Sequence, residues 1–156
     1  MLPFFEWCEA TAFGQLIRDS VWLFPAIESA HLLALCLLGG SLLVVDLRML
    51  GTGLRRQSVA ELARAARPWL VASLLGMAAT GIPLFMSEAV KCYHNPAFWI
   101  KITTLPVALL YTFAIRERVA QRATASPTWS VRVAAIGSLA LWFTVAAAGR
   151  WIGFTA

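Results

Sequence analysis

Charge is scarce in this chain. Lys, Arg, Asp and Glu make up 13% of its 156 residues, about half the share usual in a soluble domain, while 60% are hydrophobic. The mean hydropathy is +0.72. A domain of this length can bury a core in water, but it cannot hide that much apolar surface, so a water-soluble domain is excluded. Histidine is scarcer still. There are two, His31 and His94, and they do not form a spaced pair inside an apolar run. There is no Walker motif, no Gly-rich dinucleotide loop, no zincin helix and no nucleophile elbow. No internal repeat or low-complexity stretch appears. Nor do alternating ten-residue segments, which leaves a transmembrane β-barrel without a signal. The formal net charge of +5 does not mean nucleic acid, because the basic residues stand between apolar runs and form no patch interleaved with aromatics.

What is present is length of apolar sequence. Four runs, at about 21–47, 68–89, 97–115 and 131–154, can each cross the roughly 30 Å of hydrocarbon that takes about 20 helical residues. Backbone groups in lipid must bond within their own segment, so the runs are expected to be helices. The fold class is therefore all-α, a four-helix transmembrane bundle forming a single integral membrane domain over 1–156. Residues 4–19 mix Phe4, Phe5, Trp7, Phe13, Leu16 and Ile17 with Glu6, Glu9, Gln15 and Arg18. They are too polar and too short to span, and they read as an amphipathic helix lying in the interface. The segment is acidic and lacks a basic leading region or a small-residue cleavage signature, so the N-terminus is expected to be retained.

The connections are short. Within 51–67, Ser58 and Glu61 have the spacing of a capping box. The stretch 91–96 is a tight turn with Asn95-Pro96, and 117–129 contains Ser126-Pro127. Nine of the 13 basic residues fall in or beside two connections: Arg48, Arg55, Arg56, Arg64 and Arg67, then Arg116, Arg118, Arg122 and Arg132. An excess of Lys and Arg marks the cytoplasmic side. Both basic loops are expected inside, with both termini outside. Trp22, Trp69, Trp99, Trp129 and Trp151 fall near the expected span ends, as amphipathic indoles at headgroup level do.

Charged residues inside spans are costly and are candidates for function. Glu28, His31, Glu88, Lys101 and Arg150 all fall in the outer half by depth, and every span contributes. Glu28 and His31, three apart, share a helix face. The candidate binding set is His31, Glu28, Lys101 and Arg150. His31 would be the ligand or proton relay, Glu28 would orient it, and the two cations would hold an anionic group or a quinone head. For a metal, the candidates are His31 and His94. A four-helix membrane bundle is a common container for b-type haem, and haem b on His31 is one expectation. Lysine or arginine near a helix end also snorkels to water without any function. Cys92 and His94 form a C-x-H pair with Cys8 on the same side, which allows a copper or zinc site or a Cys8–Cys92 disulfide. Asp46 and Arg48 read as a boundary pair, and Cys36 reads as a small packing residue. Gly39, Gly40, Ser41, Gly76, Thr80, Gly81, Gly149 and Gly153 offer close helix approach. Pro83 and Pro106 are expected to kink spans two and three.

The segments Trp22-Leu-Phe-Pro-Ala-Ile-Glu28-Ser-Ala-His31, Asp46-Leu-Arg48-Met-Leu-Gly51, Thr80-Gly81, Asn95-Pro96-Ala-Phe98-Trp-Ile-Lys101 and Gly149-Arg150 together resemble a bacterial family of small four-span membrane proteins of unknown function. The resemblance covers nearly the whole chain. It implies that Glu28, His31, Asp46, Arg48, Lys101 and Arg150 belong to the family's motif set, and it implies no reaction. More distantly, His31 and Lys101 are similar in placement to residues of protoporphyrinogen oxidase-like and copper-resistance membrane families, which are associated with haem or copper. The functional expectation is a redox or cofactor-binding protein of the bacterial inner membrane, with its polar site on the periplasmic side. The alternative is a non-catalytic accessory or anchoring subunit of a larger membrane complex. A small transporter comes third, because one four-span unit would need to oligomerise to make a pathway. Expected partners are the lipid bilayer and other membrane subunits or further copies of the chain, not nucleic acid.

Overall fold

The computed structural model describes residues 1–53, 56–123 and 128–154. Arg55 and the Ser126-Pro127 pair lie outside the described residues. The described chain is helical with no strand among those residues: α1 (Leu2–Ala10), α2 (Ala12–Asp19), α3 (Leu23–Met49), α4 (Val59–Ser87), α5 (Ala89–His94), α6 (Pro96–Tyr111), α7 (Glu117–Arg122) and α8 (Trp129–Ile152). A π-helical turn, Thr112–Arg116, joins α6 to α7 without a break.

Four helical segments are long and apolar enough to cross a bilayer: Leu23–Met49, Val59–Ser87, Pro96–Arg122 and Trp129–Ile152. The chain is thus a multi-pass membrane protein. Exposed Leu33, Leu75, Leu110 and Phe143, one on each spanning segment, face lipid. Helix α3 packs along α4 and α6 along α8, making two hairpins. They are joined where α3 meets α8 and α4 meets α7.

The local chemistry explains the helix ends. Gly51 (φ 89°) and Gly53 (φ 63°) turn the chain out of α3 in left-handed conformations that glycine adopts freely. Ser58 Oγ accepts the Glu61 N–H at 3.2 Å, and the Glu61 carboxylate accepts the Ser58 N–H at 3.2 Å, which starts α4. Asn95 Oδ1 accepts the Ala97 N–H at 3.0 Å, and Pro96 sits in the first turn of α6, where its missing N–H is harmless.

The boundaries differ from the sequence reading in four places. The stretch 91–96 is not a bare turn, because Ala89–His94 forms α5 and only Asn95 separates it from α6. The capped helix of the first basic connection does not stop before the second span. It runs through exposed Pro68, where only one backbone bond is given up. The third span runs past 115 to Arg122, because the π-turn absorbs an extra residue rather than ending the helix. The N-terminal segment is two helices, not one. Thr11 is extended, its hydroxyl donates to the Cys8 carbonyl (2.7 Å) and it accepts the Gly14 N–H (3.2 Å) to cap α2. The break lets Phe5, Cys8 and Ile17 all face the bundle, which no single helix over 4–19 would allow.

Three apolar clusters stack along the bundle. Val45, Met49, Val59, Leu62, Ala120, Val131 and neighbours fill the end carrying the basic connections. Leu38, Leu42, Leu70, Ala108, Trp142 and Val145 fill the middle. Phe5, Cys8, Ala89, Cys92 and Phe98 close the opposite end, with Phe85, Tyr93, Trp99 and Ile152 against them.

Candidate functional site

Between the middle cluster and the aromatic end, the packing changes. Residues 23–37 of α3, 74–86 of α4 and 99–107 of α6 include no fully buried side chain. His31, Thr80, Gly81, Lys101 and Gly149 sit in this half-buried layer. The aromatic cluster closes it toward the nearer end of the bundle. Phe85 and Phe98 stack at 5.6 Å with 10° between their planes, and Phe5 lies edge-on to both. On the outer faces of the same layer are exposed Leu32, Leu33, Ile82, Ile100 and Ile102. The layer is thus flanked by apolar side chains that meet lipid.

His31 is held by α4. Its Nδ1 lies 2.7 Å from Thr80 Oγ1, and that hydroxyl donates to the Gly76 carbonyl at 2.7 Å. A hydroxyl has one hydrogen, so His31 Nδ1 carries the proton and donates to Thr80. In the neutral ring, Nε2 then keeps its lone pair. Glycines make this approach fit. A methyl group at Gly81 would stand 3.1 Å from His31 Cε1, and one at Gly76 would stand 3.3 Å from Ala34 Cβ. Lys101 comes in from α6 and lies along α8. A methyl at Gly149 would stand 3.4 Å from Lys101 Nζ. Lys101 is within electrostatic reach of His31 and of Cys92. Among the described residues no carboxylate or carbonyl accepts a hydrogen bond from it.

The other expected members sit elsewhere. Glu28 is exposed, and among the described residues it makes no hydrogen bond or ion pair, so Thr80 rather than Glu28 orients the imidazole. Arg150 is exposed with its guanidinium 4.6 Å from the centre of the Phe154 ring. His94 is exposed beside Tyr93, and Glu88 pairs with Lys91 at 3.4 Å. Among the described residues no three His, Cys, Asp or Glu side chains come together as a metal site. Cys8 and Cys92 are buried free thiols in the aromatic cluster. Burial pushes the Cys92 thiol up to about 11, and the nearby Glu88 carboxylate acts in the same direction. Of the small residues, Gly39 and Gly40 meet nothing within 4 Å, so they are not points of close approach.

A second polar cluster lies at the other end of the bundle, and the sequence reading missed most of it. Arg116, expected in the basic connection, is 2% exposed. Its Nε donates to Asp46 Oδ1 at 2.6 Å and its NH2 to the Leu42 carbonyl at 3.2 Å. Ser138 donates to Asp46 Oδ2 at 2.7 Å. The expected Asp46–Arg48 pair does not form. Arg48 donates instead to the Gln57 carbonyl at 2.8 Å, which ties down the turn after α3. The π-turn rotates Arg116 inward. At its start, Thr112 donates to the Ala108 carbonyl (2.7 Å) and accepts from Trp142 Nε1 (2.9 Å). Asp46, Arg116 and Ser138 thus tie α3, the π-turn and α8 together with their polar atoms satisfied. The one signal in the sequence was the cost of a buried Asp46, which demanded a cation at its depth. Depth alone did not say which arginine. These satisfied bonds make the cluster a structural tie, whereas the His31–Lys101 layer keeps an acceptor and a donor unused.

No curated protein and no solved structure gave a match. The model of the family of unknown function DUF6644 matches residues 4–155, which is nearly the whole chain, and the chain belongs to that family.

Proposed function

We propose that this membrane protein binds a lipid-soluble quinone head group between His31 and Lys101. In this reading the basic loops face the cytoplasm, both termini are periplasmic and the membrane is the bacterial inner membrane. The observation that carries it is the half-buried layer itself. It holds one free imidazole acceptor and one ammonium donor, and it is closed by aromatics toward the bundle end and bordered by lipid-facing side chains. A ligand entering from the side is lipid-soluble. A quinone carbonyl accepts from Lys101 Nζ, and a quinol hydroxyl donates to His31 Nε2. The same Nε2 lone pair is what a haem b iron would require, and His94 offers no second axial ligand from its exposed place.

The test is extraction of the purified protein with organic solvent and counting of quinone per chain. Dithionite-reduced and oxidised visible spectra of the same preparation complete it. Near-stoichiometric quinone is expected. Lys101→Met and His31→Ala should each lower retention roughly tenfold, the worth of one charge-assisted hydrogen bond, with helicity unchanged. Quinone no higher than in an unrelated four-span protein purified alongside would sink the reading. A Soret band that disappears in His31→Ala would replace quinone with haem b. Stoichiometric partner chains without any small molecule would favour an anchoring subunit.

A further inference from the structure

A shallow depression of about 490 Å³ runs down one face of α4, lined by Arg64, Arg67, Pro68, Val71, Ala72 and Leu75. Their spacing is i, i+3, i+4, i+7, i+8 and i+11, a single stripe on one helix face. All six are exposed to the surroundings of the bundle. Helix α4 has 29 residues, and about 20 cross the hydrocarbon. The excess puts Arg64 and Arg67 at headgroup level and leaves Val71, Ala72 and Leu75 among acyl chains. From Arg64 to Leu75 the helix rises about 16 Å, roughly a phosphate plus the upper part of one acyl chain.

We propose that this stripe is a binding site for an anionic phospholipid, with its phosphate on Arg64 and Arg67 and one chain lying over Ala72. Charge at that depth selects the occupant. Among the described residues Arg67 has no ion pair or hydrogen bond, and Arg64 has only Glu61 near it, whose carboxylate is engaged at Ser58. A second copy of the chain in the same orientation brings no free carboxylate to this level. Its Asp46 and Glu117 are buried, its exposed Glu61 is held at Ser58 beside its own Arg64, and its exposed Arg118, Arg122 and Arg132 would repel. A lipid phosphate is the anion the membrane supplies there, and basic pockets on the cytoplasmic side hold such head groups.

Native mass spectrometry of the full chain, released from nanodiscs of mixed phosphatidylglycerol and phosphatidylcholine, reads the occupant directly. The wild type should retain phosphatidylglycerol in preference. Arg64→Gln with Arg67→Gln should lower that preference roughly 30-fold, about fivefold for each arginine. Ala72→Trp keeps both charges but fills the depression, and it should also weaken retention. Arg118→Gln with Arg122→Gln removes the same charge elsewhere and should leave retention intact. Equal loss in that control would reduce the effect to net charge and overturn the site. Unchanged preference in the Arg64/Arg67 variant, or in Ala72→Trp, would overturn it as well.

Discussion

At the scale of single residues, glycines and buried side chains set the tolerances. A methyl group at Gly137 would overlap the Tyr111 hydroxyl, which donates to the Ala134 carbonyl at 3.1 Å. Gly137→Ala should therefore destabilise the protein by about 1–3 kcal/mol through overpacking. Adding Tyr111→Phe should recover part of that loss, because it removes the overlapping oxygen but leaves the ring carbon Cζ 2.8 Å from the new methyl. Denaturation of the two variants in detergent checks this, and an additive double variant would refute it. Cys92 supplies a pH prediction. With its thiol pushed up to about 11, the thiolate is scarcer at pH 8 than for a free cysteine, by roughly 100-fold, and the thiolate is the reactive form. The rate of iodoacetamide modification of a Cys92-only variant should keep rising above pH 10. A rate half-maximal near pH 9 and level by about pH 10 would show an ordinary thiol. The sign for stability follows from the same shift. The folded thiol is raised, so the fold favours the neutral form and loses stability as pH climbs above the unfolded value near 9.

At the scale of elements, the Asp46–Arg116–Ser138 tie holds three helical segments. Asp46→Asn leaves the buried Arg116 guanidinium with Glu117, 3.9 Å away, as its remaining carboxylate partner and should cost about 3 kcal/mol. The double variant Asp46→Asn with Arg116→Gln should cost markedly less than the sum of the two singles. A double-mutant cycle by denaturation measures the coupling, and a coupling near zero would mean that the pair does not carry the junction. Asp46 was visible in the sequence as an expensive intramembrane charge. Its partner was not, because Arg48 is nearer in the chain and Arg116 reaches it only through the π-turn at Thr112–Arg116. The capping box at Ser58 was legible because it depends on residues three apart. The break at Thr11 was not legible, because it is set by what α1 and α2 pack against: α5 and α4 respectively.

At the scale of the whole molecule, orientation is the prediction that matters most. Single cysteines placed at Thr52 and at Phe154, in a chain without native cysteines, should respond oppositely to a membrane-impermeant maleimide applied to intact cells. Phe154→Cys should be labelled and Thr52→Cys protected until the membrane is opened. The reverse pattern would place the basic connections outside and remove the periplasmic assignment of the His31–Lys101 layer.

Sequence by itself determined that this chain lives in a membrane and crosses it with four helices. Those properties depend on how long each apolar run is and on backbone bonds that close within a segment. It also singled out His31 and Lys101 as intramembrane charges worth explaining. Only the tertiary structure decided which polar residues meet. It brought Thr80 to His31 and Gly149 to Lys101 while leaving Glu28 and Arg150 on the exposed surface, and it gave Asp46 to Arg116. The reason is rotational. Depth along a helix can be counted in residues, but the direction a side chain faces depends on helix phase, on a π-turn and on where glycine lets two helices come close.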